Sequence, residues 1–97
     1  MDYKLHWSDE SLKNLEEILD YISSRWTQKE IDRFKHKLSR QLGLIIQNPN
    51  MFPVSTYNPY LRKAVLSKQT TIFYKIEDFK VSIAYLHINR KNIKRIF

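Results

Sequence analysis

Residues 61–90, LRKAVLSKQTTIFYKIEDFKVSIAYLHINR, constrain the fold more than any other stretch of the chain. Breaks at residues 67–69 and at Glu77-Asp78 divide them into three runs, and runs of this kind bounded by turn residues read as consecutive strands. Residues 70–76 are β-branched or aromatic at nearly every position, which suits a pleated, packed surface. Residues 81–88 carry apolar groups on both alternating faces, the pattern expected of a strand covered on two sides. With connections this short, an antiparallel meander is the simplest topology. Arg62, Lys63, Lys68, Lys75 and Lys80 lie along it, and Arg90, Lys91, Lys94 and Arg95 follow, so this stretch is also the candidate contact surface.

Ahead of it the apolar period changes. Tyr3, Leu5 and Trp7 alternate with Lys4 and His6, a half-buried strand that should join the meander. Ser8 then offers an N-cap, Asp9 and Glu10 suit the positive end of a helix dipole, and Leu12, Leu15, Ile18, Leu19, Ile22 and Trp26 recur at helical spacing. The spacing predicts a helix over residues 9–24, with Glu16, Glu17 and Asp20 outward. Thr27 and Glu30 have the spacing of a capping box and open a second helix, whose stripe is Ile31, Phe34, Leu38, Leu42 and Ile45. Asn48-Pro49 ends it, because the residue before proline avoids the α region. Lys29, Arg33, Lys37 and Arg40 form a basic ridge, read as a solvated face. The expectation is therefore an α+β fold: a strand, an antiparallel two-helix hairpin, then a three-stranded antiparallel meander, in a single domain over residues 1–97.

Residues 48–60 hold all three prolines and read as a loop, with Met51, Phe52, Tyr57 and Tyr60 expected to plug one end of the core. The single glycine, Gly43, leaves no material for a phosphate-cradling loop. The absence of cysteine excludes disulfides, thiolate metal sites and a cysteine nucleophile, and it agrees with a reducing cytoplasm. No apolar run has the length of a signal peptide or a membrane span, so a soluble cytoplasmic protein without membrane contact is expected.

The net charge of +7 is unevenly placed. Up to Pro49 eight Lys/Arg balance eight Asp/Glu, whereas residues 50–97 set nine Lys/Arg against Glu77 and Asp78 alone. Such an asymmetry points to a polyanionic partner, nucleic acid or acidic protein. His6, His36 and His87 lack the i, i+4 pairing of metal-binding helices, and no metal or cofactor is implied. Arg62, His87 and Arg90, with Tyr74, Tyr85, Lys63 and Lys68 nearby, are placed near the mouth of the meander. An acid or base beside guanidinium groups is what RNA cleavage through a 2′-hydroxyl requires.

The order of these elements resembles the RelE/ParE superfamily of type II toxin–antitoxin toxins. Leu15-Glu16-Glu17-Ile18 with Asp20-Tyr21-Ile22 is similar to the superfamily's first helix, followed by Trp26, Phe34 and Leu38. Asn48-Pro49 is similar to its helix-ending proline, Leu61-Arg62 to its strand-opening pair, and Ile72-Phe73-Tyr74, Val81-Ser82-Ile83 and His87-x-x-Arg90 to its closing hairpin. The first-helix pattern is nearer the ParE branch, generally held to poison DNA gyrase without being nucleases, than the RelE branch, which cleaves mRNA on the ribosome.

The resemblance implies a cognate antitoxin whose flexible segment crosses a hydrophobic groove and the basic sheet, in a hetero-oligomer. A ParE-like reading implies DNA gyrase as target, engaged by surface shape and charge, with Lys63, Lys68, Lys91, Lys94 and Arg95 as contact residues. A RelE-like reading implies ribosome and mRNA, with Arg62 and Arg90 on phosphate and His87 or Tyr85 as acid or base. In this reading the superfamily's aromatic residue beyond the last strand has only terminal Phe97 as a counterpart. A degenerate, non-toxic binding module is the third alternative.

Overall fold

A computed structural model describes residues 3–67 and 69–88. Strand β1 (Lys4–Trp7) leads into helix α1 (Asp9–Arg25), which turns back as α2 (Gln28–Gln47). A 3₁₀ turn (Pro49–Met51) and a loop then deliver the chain to β2 (Arg62–Val65), β3 (Thr70–Glu77) and β4 (Lys80–Ile88). The four strands form one sheet in the order β1-β4-β3-β2, antiparallel except that β1 runs parallel to β4.

The helix boundaries follow from their caps. The Ser8 hydroxyl accepts from the Ser11 N–H at 3.0 Å and so takes up an otherwise orphan donor. At the second helix the Glu30 carboxylate accepts from the Thr27 N–H at 3.1 Å and from the Thr27 hydroxyl, which holds the carboxyl below its ordinary range. Between the helices Trp26 meets Tyr21 edge-on at 5.7 Å, and the Arg25 guanidinium lies 4.7 Å from the centre of the same Tyr21 ring.

Both helices cover one face of the sheet. Ile18 and Ile22 of α1 and Phe34, Leu38 and Ile45 of α2 pack on Ala64, Ile72, Tyr74, Val81, Ile83 and Leu86. Alternation along each strand sends Lys4, His6, Lys63, Thr71, Phe73 and Lys75 to the opposite, outer face.

Strand β4 departs from the expectation of cover on both sides. Phe73 pairs with Tyr85 and Tyr74 with Ile83, so Ala84 is an extra residue, a bulge. One inserted residue reverses the facing of everything beyond it. Val81 and Ile83 therefore point to the helices before the bulge and Leu86 and Ile88 after it, and that shift produces apolar residues at both parities. The turn between β3 and β4 also falls one residue later than expected, at Asp78-Phe79, with Asp78 in the left-handed region at φ 54°.

The loop expectation holds for one of its four residues. Phe52 packs edge-on against Tyr74 at 6.3 Å, whereas Met51 is largely exposed and Tyr57 and Tyr60 are 94% and 85% exposed. The loop is held by its own turns and by the sheet edge instead: the Ser55 hydroxyl accepts from the Tyr57 N–H, Asn58 Oδ1 from the Tyr60 N–H, and Pro53 O from the Lys63 N–H.

Candidate functional site

Two surfaces stand out, one on each side of the sheet. On the outer face Phe73 and Tyr85 stack at 4.7 Å with their planes 20° apart, in register with Lys63. The row toward one end of the sheet holds Thr71 and the exposed His87. Toward the other end His6, Ser82 and Lys75 form a row, beside which Glu77 pairs with Lys75, whose ammonium holds the Glu77 carboxyl below its ordinary range. A shallow depression of about 400 Å³ lies here, lined by His6, Lys75, Glu77, Lys80 and Ser82 among others. The aromatic pair, in which Phe73 is only 8% exposed, thus shares this face with Lys63 in its own row and with His87 and Lys75 in the rows on either side.

Arg62 is not part of that face. It pairs with Tyr74 at the edge of the helix-covered side, and its guanidinium donates to Phe52 O at 2.6 Å and Asn50 O at 3.4 Å. The adjacent Tyr74 hydroxyl donates to Pro49 O at 2.6 Å, and burial pushes its pKa up to about 12, opposed by the Arg62 charge. Arg62 and Tyr74 together tie the 3₁₀ turn and the loop to the sheet. His87 lies three positions along and two strands across from Arg62, ~10 Å in each direction, and points to the opposite face. The two residues proposed for phosphate binding and proton transfer thus do not converge. Lys63 and Tyr85 do share a face with His87. Lys68, Arg90, Lys91, Lys94, Arg95 and Phe97 lie outside the described residues, which contain no cluster able to hold a metal ion.

The second surface is a groove of about 520 Å³ between the helices. Leu5 of β1, Leu15 and Leu19 of α1, and Leu38, Leu42 and Ile46 of α2 give it an almost wholly apolar lining, with Gly43, Ser39 and Lys35 along the α2 wall. Leu12, on the same α1 face as Leu15 and Leu19, is 48% exposed. The helix stripes were legible in sequence. The resemblance implied a hydrophobic groove; which residues line it is fixed by the packing of the helices and carries no mark in the sequence.

Residues 5–92 match the family model of the ParE toxin of the type II toxin–antitoxin system parDE. The chain belongs to the ParE toxin family. Solved structures place this ParE-family chain in the wider RelE/ParE fold. It matches a chain of the chromosomal ParDE toxin–antitoxin system of P. aeruginosa at 14% identity and a TM-score of 0.76, over 89% of this chain and 95% of that one. It matches a chain of the RelBE2 toxin–antitoxin complex of Mycobacterium tuberculosis at 12% identity and 0.64, over 92% and 100%. A chain of the E. coli DinJ-YafQ complex matches at 14% and 0.61, over 95% and 98%. No curated relative matches by sequence. No helix among the described residues is long and apolar enough to cross a membrane.

Proposed function

We propose that this ParE-family chain is a cytoplasmic growth-arresting toxin that acts by docking on DNA gyrase, without cutting RNA, and is neutralised by a cognate antitoxin seated in the inter-helix groove. The observation that carries the choice is the position of Arg62. Its guanidinium is bonded to two loop carbonyls on the helix-covered side, away from His87, so phosphate binding and proton transfer lack a common site among the described residues. Docking needs only surface shape and charge, which Lys63 and the neighbouring cations of the outer face supply. Lys68, Lys91, Lys94 and Arg95 add to that charge in sequence. The antitoxin is supported by relatives that were solved as toxin–antitoxin complexes and by an apolar groove of a kind that receives amphipathic partner segments.

One observation favours ribosome-dependent mRNA cleavage as a second reading. Phe73, Tyr85, Lys63 and His87 share the outer face, and stacked aromatics beside cations are what single-stranded bases use.

Induction without antitoxin separates the readings when mRNA integrity, DNA supercoiling and growth are followed together. The gyrase reading expects intact transcripts, trapped gyrase and little effect of His87→Ala. Cleavage of ribosome-bound mRNA, reduced roughly 10²–10⁴-fold by His87→Ala as loss of a proton-transfer group demands, would establish the second. Normal growth with intact mRNA and normal supercoiling would leave only a non-toxic binding module.

A further inference from the structure

The loop between the 3₁₀ turn and β2 exposes apolar groups while its backbone is held. Met51 is 54% exposed, Val54 45%, Tyr57 94% and Tyr60 85%. Single exposed apolar residues are ordinary on any surface, but here they are concentrated within residues 51–60. Val54 bridges Arg62 of β2, the Ser55 N–H donates to Leu61 O at 2.7 Å, and the Leu61 N–H donates to Asn58 O at 3.0 Å. The hydroxyl of the buried Ser55 accepts from the Tyr57 N–H at 3.2 Å, and Asn58 Oδ1 accepts from the Tyr60 N–H at 3.0 Å. Pro53 and Pro59 restrict φ within the same segment. Tyrosines on a held backbone offer large amphipathic area at low entropic cost, which is why they recur as anchors in protein–protein contacts.

The surroundings define what these rings can meet. A depression of about 300 Å³ beside the loop has Val54, Pro59, Tyr60 and Ile76 as its apolar lining and Arg62 and Lys75 as its charged groups. No Asp or Glu occurs between Asp32 and Glu77. Arg62, which the loop carbonyls hold, Lys63 and Lys75 therefore set three cations against one carboxylate, the Glu77 paired with Lys75. That balance favours an acidic partner. Nucleic acid fits less well, because its phosphate backbone has nothing apolar for Met51 and Val54, and tyrosines stack on bases only where a strand is unpaired. A second copy in a two-fold contact would set this cationic corner against itself.

We propose that residues 51–60 anchor this toxin on its target. Tyr57 and Tyr60 seat on an exposed acidic segment of the target protein, whose apolar side chains cover Met51 and Val54 and whose carboxylates face Lys63 and Lys75. This rests on the gyrase-docking reading above and divides the work of docking. Cations set the rate of encounter, and the tyrosines set the residence time.

The test measures the kinetics of the full chain binding to purified DNA gyrase. Tyr57→Ala combined with Tyr60→Ala should raise the dissociation rate roughly tenfold or more. The association rate should stay within about twofold of wild type, because the charges are untouched. The melting temperature should move by less than about 4 °C, since both rings are exposed, and antitoxin affinity should stay at the wild-type value. Tyr57→Phe combined with Tyr60→Phe should dissociate near the wild-type rate, because ring area is kept, whereas Lys75→Glu should slow association by an amount that shrinks in high salt. An unchanged dissociation rate in the alanine pair overturns the inference and leaves the gyrase reading intact. An equal loss of antitoxin affinity overturns it by placing the loop under the antitoxin. The same loss measured on DNA alone would give the loop to nucleic acid, and a wild-type dimer that the alanine pair dissociates would give it to a second copy; either overturns the inference. Failure of the wild-type chain to bind gyrase at all would instead remove the reading beneath it, and the inference with it.

Discussion

The Arg62 guanidinium has carbonyl acceptors at Phe52 and Asn50, and hydrogen bonds from a charged donor are typically worth ~1.5–3 kcal/mol. Arg62→Ala should therefore lower stability by roughly that amount and loosen the 3₁₀ turn and loop, seen as a lower melting temperature and faster proteolysis within residues 49–60. Growth inhibition should fall only as far as folded protein is lost; complete inactivity in a fully stable variant would return Arg62 to a binding or catalytic role. Its neighbour Tyr74 gives a pH signature. The Tyr74 pKa is raised to about 12 by burial, so the neutral phenol is favoured in the folded state. The associated stability is complete below the unfolded value near 10 and is lost as pH rises toward 12, by up to ~2–3 kcal/mol. Denaturant titrations of wild type and Tyr74→Phe should therefore diverge between pH 10 and 12, with wild type losing the more stability; parallel curves would deny that Tyr74 stays neutral in the fold. The sequence showed Arg62 as a cation at the start of a strand. Which face it took depended on register, and two backbone carbonyls that carry no sequence signature determined its partners.

At the scale of elements, the bulge at Ala84 is held by α1. The Ser8 hydroxyl donates to Ala84 O at 2.7 Å, and Asn14 Oδ1 accepts from the Leu86 N–H at 2.9 Å, where β1 has already ended and no strand covers that edge of β4. Asn14→Ala should leave the Leu86 amide unpaired, at a cost of ~1–3 kcal/mol, and its hydrogen exchange should accelerate well beyond that of Ile72. Equal exchange in variant and wild type would mean that Asn14 does not secure the edge. Phe34→Ala, at a fully buried position between α2 and the sheet, should cost ~3–5 kcal/mol, and an unchanged melting temperature would contradict its place in the core. The elements themselves were legible, because Ser8, Thr27-Glu30 and Asn48-Pro49 carry capping and stop chemistry at the positions where the helices begin and end. The bulge was not, since alanine marks no special backbone and its effect is visible only as apolar residues at both parities of residues 81–88. That same parity change puts His87 and Tyr85 on the outer face and is the physical reason the sequence misplaced His87 relative to Arg62.

Over the whole molecule the two candidate surfaces obey different physics. The groove is apolar and lies between helices whose charges cancel, whereas the outer sheet face carries Lys4, Lys63, Lys75 and Lys80 against Glu77. Arg90, Lys91, Lys94 and Arg95, outside the described residues, bring the charge of residues 50–97 to its full excess. Interactions of exposed charges are screened within about 10 Å at moderate ionic strength, while apolar burial is not. Antitoxin binding in the groove should thus depend less on salt than association of the toxin with its target, which should slow markedly. Replacing Arg90, Lys91, Lys94 and Arg95 together by glutamine should lower the target association rate and flatten its salt dependence, since long-range steering acts mainly on that step. The melting temperature and antitoxin affinity should stay close to wild type, and growth inhibition should weaken. Measured side by side, an equal loss of antitoxin affinity would assign the tail to the antitoxin, and an unaltered target rate would take the basic tail out of docking altogether.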